Sequence, residues 1–292
     1  MFQRLAVIGV GLIGGSVALA LKRAGAVGHV VGIGRGRPNL ERALALGVID
    51  EIASDPPSGV ARADTVVVAV PVGQFDAVLR SVRPALAADA VITDGGSTKQ
   101  DVIAAARPAL GERWPRFVPA HPIAGAEHSG VEAARADLFD GRNVVLTPLP
   151  ETDADATARA ETLWAQCGAR VARMAPAEHD RVFAAVSHLP HVLAYTLVSM
   201  IAQRPEAGQL FGFAAGGFRD FTRIASSSPE MWRDIALANR DALLAEIDAY
   251  GEALASVRAL VAAGDGTALE RLFAEAREAR DAWLRGRGWD KS

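Results

Sequence analysis

The first 175 residues alternate between short apolar runs and longer segments in which apolar residues recur at helical spacing. The runs are rich in β-branched residues and almost continuous, which is typical of strands buried on both faces of a parallel sheet. This alternation predicts an α/β fold with a doubly wound parallel sheet. The predicted strands cover residues 5–10, 30–33, 65–70, 90–93, 117–120, 143–147 and 170–174, and the predicted helices cover 17–23, 40–46, 75–82 and 102–110.

From residue 176 the alternation stops, and the pattern becomes helical almost to the end of the chain. The Ser-Pro-Glu sequence at 228–230 predicts an N-cap, a proline at the first helical position and an early acid, which open one long helix to Val261. We therefore predict two domains. The first covers residues 1–174, and the second, which is all-helical, covers residues 175–292.

Composition narrows the possible locations and partners. The chain has 292 residues, of which 50% are hydrophobic, and a net charge of -3. No apolar run approaches the roughly 18 residues that a bilayer span needs, and the arginines are scattered among acids, so we expect neither membrane insertion nor nucleic acid binding. Cys167 is the single cysteine and no signal peptide precedes the first strand, which favours a reducing, cytoplasmic location.

A glycine motif, G-V-G-L-I-G, follows the first predicted strand and opens the next helix. In such a loop the first glycine permits a tight turn, the second lets the backbone approach a pyrophosphate, and the third lets helix and strand pack closely. The alternative is a glycine-rich turn that merely packs. The context favours a Rossmann-type domain whose dinucleotide cofactor is bound by Gly9, Gly11, Leu12, Ile13 and Gly14.

The end of the second predicted strand bears on cofactor choice. An NAD-selective site usually places an acid there to bind the ribose hydroxyls, whereas an arginine can pair with the 2'-phosphate of NADP. This chain has no acid at that point and carries Arg35 and Arg37. The sequence therefore favours NADP over NAD, or tolerance of both, unless both arginines are solvated loop residues.

Three further segments follow predicted strands, where ligands bind in open α/β sheets. Val70 and Pro71 end the third run and are predicted to contact the cofactor. Ser97 follows the fourth run, and its spacing to Gln100 predicts a capping box. His121 lies at the tip of the fifth run, where a histidine can accept a proton from a substrate hydroxyl as that hydroxyl is oxidised.

The helical domain begins with a second group of histidines. His188 and His191 are three residues apart and share a helix face if Pro190 merely opens or kinks the helix. A metal site is the competing hypothesis, but the spacing is not specific for metal ligands, so we predict no metal. Helix capping and interhelical hydrogen bonds are the alternative for each residue.

Two arginines, Arg219 and Arg223, lie four residues apart just before the helix that opens at Ser228. Arginine binds carboxylates through two parallel hydrogen bonds, so this pair suits a dicarboxylate substrate. For Arg219 we favour the alternative, an ion pair with Asp220.

With these segments in order, the sequence resembles the prephenate/arogenate dehydrogenase family over roughly residues 5–285. The resemblance implies oxidative decarboxylation of prephenate to 4-hydroxyphenylpyruvate, or of arogenate to tyrosine, by a single-function enzyme of tyrosine biosynthesis. It also implies a homodimer built through the helical domain. The matching stretches are GVGLIGGS, TDGGSTK, HPIAGAEHSGVEAARADLFDGRNVVLTP, AEHDRVFAAVSHLPHVLA and GGFRDFTRIASSSPEMWRDI.

The resemblance also implies roles for single residues. His121 would be the catalytic histidine that draws the proton from the ring hydroxyl of the substrate. Ser97 would orient His121 and that hydroxyl. Arg223 would bind a substrate carboxylate. The roles of His179 and Asp180 stay open. The other residues that the resemblance assigns to the substrate pocket are His191, Glu127 and His188.

Two other functions remain open at this point. A two-domain hydroxyacid dehydrogenase would use a catalytic lysine in the helical domain, but the chain's only lysines are Lys22, Lys99 and Lys291. A non-catalytic, dinucleotide-sensing module would not need His121 and Arg223 together.

Overall fold

The computed structural model describes residues 1–125 and 128–287. Its centre is a parallel sheet with the strand order β3-β2-β1-β4-β5-β6, which confirms the predicted doubly wound fold. A three-stranded sheet, ordered β7-β8-β9, lies outside it. The strands are β1 (Phe2–Ile8), β2 (Val27–Ile33), β3 (Glu51–Ile52), β4 (Thr65–Val68), β5 (Val91–Asp94), β6 (Phe117–Val118), β7 (Ala120–Pro122), β8 (Asn143–Leu146) and β9 (Arg170–Arg173).

Helices connect these strands and then form the rest of the chain. In the first part they are α1 (Leu12–Arg23), α2 (Arg37–Ala45), α3 (Pro56–Val60), α4 (Phe75–Val82), α5 (Gln100–Leu110) and α6 (Ala154–Gln166). The later helices are α7 (Pro176–Phe183), α8 (Leu189–Ala202), α9 (Ala207–Gly212), α10 (Gly216–Thr222), α11 (Pro229–Ala238), α12 (Arg240–Ala263) and α13 (Gly266–Arg287).

The central sheet is buried on both faces, as its almost continuous apolar strands require. In β1, Leu5 and Val7 belong to one apolar cluster, while the alternate residues Ala6 and Ile8 belong to a second cluster. All four are at most 3% exposed. The sheet therefore separates two cores, and its carboxyl edge is held rigidly.

The prediction of a single strand at 117–120 is wrong. The chain leaves the parallel sheet after β6 and continues as β7, which pairs antiparallel with β8. Pro119, between the two strands, has no amide hydrogen to donate to the sheet, and the Asp94 carboxylate holds the start of β7, because its Oδ1 accepts a hydrogen bond of 2.8 Å from the Ala120 amide. His121 is consequently the middle residue of a strand, opposite Val145, and not the tip of one.

The predicted capping box of Ser97 is also wrong. Helix α5 starts at Gln100 with Lys99 as its N-cap residue, and no local side chain caps it. Instead the Asp180 carboxylate accepts hydrogen bonds of 2.9 Å from the amides of both Lys99 and Gln100. A distant acid therefore satisfies this helix end and stabilises its dipole.

The long helix predicted from 228 to Val261 is interrupted. Ser228 caps α11 as predicted, accepting from the Met231 amide at 3.4 Å. The helix then breaks at Asn239, whose Nδ2 donates to the Asp180 carbonyl at 2.8 Å and lies 3.0 Å from His188 Nδ1. These side-chain bonds hold Asn239 at the junction of α11 and α12, out of helical geometry.

The chain forms two compact units, Met1–Leu243 and Leu244–Ser292. The sequence-based domain boundary at residue 174 falls inside the first unit, between β9 and α7, and stays a prediction.

Within the described ranges, Pro176–Ala202 is the one stretch that is long and apolar enough to cross a membrane by length and composition. It comprises α7, a π-helical segment (Ala184–His188) and α8. His179, Asp180 and His188 on this stretch are at most 1% exposed and form hydrogen bonds with protein groups. Such buried, satisfied polar groups are typical of a helix that packs inside a folded protein.

Candidate active site

The glycine loop has the geometry that a dinucleotide requires. Gly9 has a positive φ of 94°, and a Cβ there would lie 2.3 Å from the Ala69 carbonyl oxygen. A Cβ on Gly14 would lie 2.2 Å from the Gly9 carbonyl oxygen, so this glycine serves close packing. Gly11 has no atom within 4 Å of its Cβ position, which leaves room for a pyrophosphate.

The start of α1 suits an anion. Gly11 is its N-cap, no side chain occupies the free amides of its first turn, and that turn carries no acid. Unsatisfied amides and the helix dipole favour a phosphate at this point. The loop therefore fits a dinucleotide by both its shape and its charge.

A cleft of about 460 Å³ opens beside this loop. The side chains of Leu12 and Ile13 are half-buried and pack against the core. The predicted cofactor residues that line the cleft are Gly9, Gly11, Arg35, Val70 and Pro71.

Arg35 and Arg37 differ in their surroundings. Arg37 Nε donates to Glu41 Oε1 at 2.9 Å within α2. Arg35 is exposed at the edge of the cleft, between two glycines that also line it. No acid follows β2 at the position where a ribose-binding carboxylate would stand.

Pro122, the residue that follows His121, lies near the first turn of α1. Gly95 lies between them, since its Cβ position is 3.0 Å from Ile13 Cγ2 and 3.8 Å from Pro122 Cγ. The His121 ring is half-buried, and its Nδ1 lies 2.9 Å from Nε2 of His179. Burial lowers the pKa of His121 well below 6.5, and the repulsion that a charged His121 would have from a charged His179 and from Lys99 lowers it further. The ring is therefore uncharged at neutral pH and keeps a lone pair on one nitrogen.

A buried ion pair fixes the backbone that carries His121. Lys99 is fully buried, and its Nζ donates to Asp94 Oδ2 at 2.6 Å and to the Ala120 carbonyl at 2.7 Å. Burial raises the pKa of Asp94, and the charge of Lys99 with the hydrogen bonds from Lys99 and two backbone amides only partly offsets that rise. Lys99 is thus committed to the framework, which removes it as the catalytic lysine of a hydroxyacid dehydrogenase.

His188 and His191 share one face, as predicted, because both rings contact the indole of Trp232. The His191 ring stacks on it with the ring centres 3.5 Å apart, and its Nδ1 lies 2.8 Å from the Ser187 carbonyl. A carbonyl only accepts, so Nδ1 donates and Nε2 is left for a ligand. Burial lowers the pKa of His188 to about 4.

Arg223 lies near this histidine pair, at the first residue after α10. Burial lowers the pKa of His191, and the positive charge of Arg223 lowers it further. Arg219 Nε, by contrast, lies 3.1 Å from Asp220 Oδ1, as expected for an ion pair.

Two more residues were predicted to belong to the site, Ser97 and Glu127. Ser97 is half-buried in the loop between β5 and α5. Glu127 lies outside the described residues. Sequence reasoning gave no role to Trp232 or Asn239, which contact the histidines of this site. The available signal for His179 was the run of Glu178, His179 and Asp180 at the start of the helical part of the chain.

In the described part of the chain, no group of three or more His, Cys, Asp and Glu side chains could hold a metal ion. Trp232 Nε1 and Thr98 Oγ1 are buried without a hydrogen-bond partner there. Buried polar groups are normally paired, so such groups beside a site are candidates for binding a ligand.

A dinucleotide cleft at the carboxyl edge of a Rossmann-type sheet, together with a half-buried, uncharged histidine on β7, is typical of a dinucleotide-dependent oxidoreductase. Residues 17–173 match the family model for the nucleotide-binding domain of prephenate dehydrogenase, and residues 175–275 match that for its dimerization domain. The chain belongs to the prephenate dehydrogenase family.

Individual relatives agree with this assignment. The chain is 41% identical to a prephenate dehydrogenase of Bacillus subtilis over 96% of this chain and 76% of that protein. It is 38% identical to a cyclohexadienyl dehydrogenase of Zymomonas mobilis over 96% of both. The solved prephenate dehydrogenase of Aquifex aeolicus, in complex with hydroxyphenyl propionate and NAD+, is 35% identical and superposes with a TM-score of 0.90 over 96% of this chain and 98% of that chain.

Proposed function

We propose that the protein catalyses the NAD(P)-dependent oxidative decarboxylation of prephenate to 4-hydroxyphenylpyruvate in tyrosine biosynthesis. The observation that carries this proposal is the neutral His121, whose Nδ1 is engaged by His179 and whose neighbour Pro122 lies near the dinucleotide loop. That arrangement leaves Nε2 to accept the proton of a ring hydroxyl. The phenolic ligand and NAD+ in the solved Aquifex aeolicus relative support the same chemistry.

The histidine acts as a proton acceptor and then as a donor. The ring hydroxyl passes its proton to His121 as the carbon beneath it loses a hydride, for which the bound nicotinamide supplies the acceptor. Loss of the ring carboxylate as carbon dioxide then makes the ring aromatic, and His121 returns the proton to the phenol oxygen. The histidine must be unprotonated at the working pH to accept that proton, which a pKa near or below neutrality ensures.

Other residues of this chain bind and orient the substrate. Arg223 binds a carboxylate through its guanidinium group, beside His191, whose Nε2 is available as an acceptor or, once protonated, as a donor. Ser97 contacts the hydroxyl and His188 lines the pocket, and Glu127 is assigned to substrate binding from the sequence resemblance alone. Holding the hydroxyl carbon next to the cofactor is the chief catalytic task, because aromatisation makes the reaction irreversible.

The cofactor is NADP or NAD, with NADP favoured. Gly9, Gly11 and the first turn of α1 bind the pyrophosphate, with Leu12, Ile13 and Gly14 shaping the turn. Arg35 pairs with the 2'-phosphate of NADP, because it is exposed at the edge of the cleft and no ribose-binding acid follows β2. Val70 and Pro71 line the cleft from the end of β4.

Arogenate is the second candidate substrate. It differs from prephenate only by an amino group in place of the side-chain keto group. The similarity to the cyclohexadienyl dehydrogenase of Zymomonas mobilis supports arogenate as a candidate substrate. Arogenate dehydrogenation would give tyrosine directly.

The assembly and location follow from the same assignment. The match to a dimerization domain over residues 175–275 supports a homodimer built through the helical domain, with residues 1–174 as the nucleotide domain and 175–292 as the helical domain. The substrates are small metabolites, and no nucleic acid or membrane partner is needed. The location is the cytoplasm.

An assay with four pairs of reactants tests this proposal. Purified protein is mixed with prephenate or arogenate and with NADP or NAD, and the initial rate of nicotinamide reduction is measured. We expect the highest kcat/KM with prephenate and NADP. No reduction with any pair would contradict the proposal and favour a dinucleotide sensor. A higher kcat/KM with arogenate than with prephenate would make arogenate the assigned substrate.

A further inference from the structure

Three side chains form a continuous hydrogen-bonded row that ends at His121. Nδ1 of His121 lies 2.9 Å from Nε2 of His179, and Nδ1 of His179 lies 2.8 Å from Oδ1 of Asp180. His179 and Asp180 are at most 1% exposed. One end of this row, which we call the outer end, is the Asp180 carboxylate, and the other end is the catalytic histidine, His121.

The carboxylate is fixed at the outer end. Its two oxygens accept 2.9 Å hydrogen bonds from the amides of Lys99 and Gln100. The Asp180 carbonyl accepts a further 2.8 Å bond from Asn239 Nδ2. Burial alone would raise the pKa of Asp180, but the bonds from His179 and the two amides outweigh it and lower the pKa. Asp180 is therefore ionised and can only accept hydrogen bonds.

The positions of the protons follow from the outer end inward. Because Asp180 only accepts, Nδ1 of His179 must donate to it. Burial lowers the pKa of His179, so this ring is neutral and its Nε2 carries a lone pair. A bond of 2.9 Å to that lone pair requires a proton on Nδ1 of His121. Nε2 of His121 is then unprotonated.

We propose that His179 and Asp180 are positioning residues that hold His121 as the Nδ1-protonated tautomer, with Nε2 free to accept the substrate proton. The inference rests on the proposed function only for the identity of the substrate. The opposite tautomer would present an N–H to the hydroxyl and could not take its proton. Fixing the tautomer of a catalytic histidine through its second nitrogen is a general device of general-base catalysis.

The tautomer itself is measured by nitrogen NMR of the full chain labelled with 15N-histidine. At neutral pH we expect Nδ1 of His121 to have the shift of a protonated nitrogen and Nε2 that of an unprotonated one. A protonated Nε2 on a neutral His121 would overturn the proposal. This measurement uses no substrate, so it decides the positioning role even if neither prephenate nor arogenate is turned over.

Two substitutions of His179 separate positioning from packing. His179→Phe keeps an aromatic ring against Phe183 but removes the acceptor, and should lower kcat by about 100-fold or more. His179→Gln restores an acceptor through its amide oxygen, and should keep kcat within about tenfold of the wild type. In both variants KM for prephenate should change by no more than about threefold, because ground-state contacts remain.

The control is His29→Gln, at an exposed histidine paired with Glu51 on the sheet edge, which should change neither kcat nor the His121 shifts. Cofactor affinity and the thermal unfolding midpoint of each variant report whether it folds. A His179→Phe variant that keeps kcat within about threefold would overturn the proposal. Equal losses in His179→Phe and His179→Gln, with the His121 tautomer unchanged in both, would overturn it as well.

Discussion

His121 depends on other parts of the chain for both its protonation and its orientation. Its sequence context, directly before Pro122 and after a predicted strand, was enough to predict a catalytic role. Its partner His179 is 58 residues away and could not be paired with it from spacing alone. Ser97, which the resemblance offered as the orienting group, is a loop residue near the same strand end.

The low pKa of His121 predicts the pH dependence of catalysis. A histidine buried in neutral form loses its function as a base when pH falls through its own pKa, which lies well below 6.5 because of burial, His179 and Lys99, with His188 adding to the effect. The acid limb of a kcat/KM profile with prephenate reports this group in the free enzyme. We expect its midpoint below 6.5, and a midpoint at or above that value would contradict the assigned environment.

The role of Arg223 predicts an effect on binding. Replacing it with glutamine removes a charge-assisted hydrogen bond to a substrate carboxylate, which at about 1.5–3 kcal/mol corresponds to a rise in KM of roughly 10- to 100-fold. Arg173→Gln, which removes an exposed arginine paired with Glu161, is the control and should leave KM unchanged. An effect of Arg223→Gln confined to the KM of the cofactor would refute the assignment.

At the scale of elements, the sequence predicted most of the strands and helices of the first part of the chain in their order, but not the short strand β3 or the helix α3. It missed three junctions: the division of strand 117–120, the start of α5 and the break at Asn239. In each case a distant side chain, Asp94 or Asp180 or His188, supplies the deciding hydrogen bond. Local propensity and periodicity contain no information about such partners, although Pro119 was a local sign that the strand at 117–120 is interrupted.

The end of β2 carries the prediction on cofactor choice. Arg35→Ala should lower kcat/KM for NADP by roughly 10- to 100-fold, the worth of one charge-assisted hydrogen bond to a phosphate, and leave that for NAD within about threefold. Arg37→Ala is the matched control, because Arg37 is already paired with Glu41 in α2. Equal losses with both cofactors would show that Arg35 does not read the 2'-phosphate.

At the scale of the whole molecule, the segment after Leu243 has little core of its own. Across α13, all of which is described, no residue is buried. Large apolar side chains that are at least half exposed in this segment are Leu254, Val261, Phe273 and Trp283. Exposed apolar surface of this extent is typical of an interface between subunits.

This surface predicts the oligomeric state. Sedimentation of the purified chain at micromolar concentration should give a dimer, and a double variant with Leu254→Glu and Phe273→Glu should shift it towards monomer, since a buried interface rejects unpaired charge. Arg173→Gln again serves as the control. A wild-type monomer at that concentration would contradict the homodimer.

The central claim is that His121 drives the conversion of prephenate to 4-hydroxyphenylpyruvate on this fold. The most direct test measures reduced nicotinamide, carbon dioxide and 4-hydroxyphenylpyruvate together, for the wild type and for His121→Asn. We predict equal amounts of the three products from the wild type. For His121→Asn we predict a kcat that is lower by about 100- to 10,000-fold, with cofactor affinity retained. Reduced nicotinamide without carbon dioxide, or a His121→Asn variant that turns over at the wild-type rate, would contradict the account.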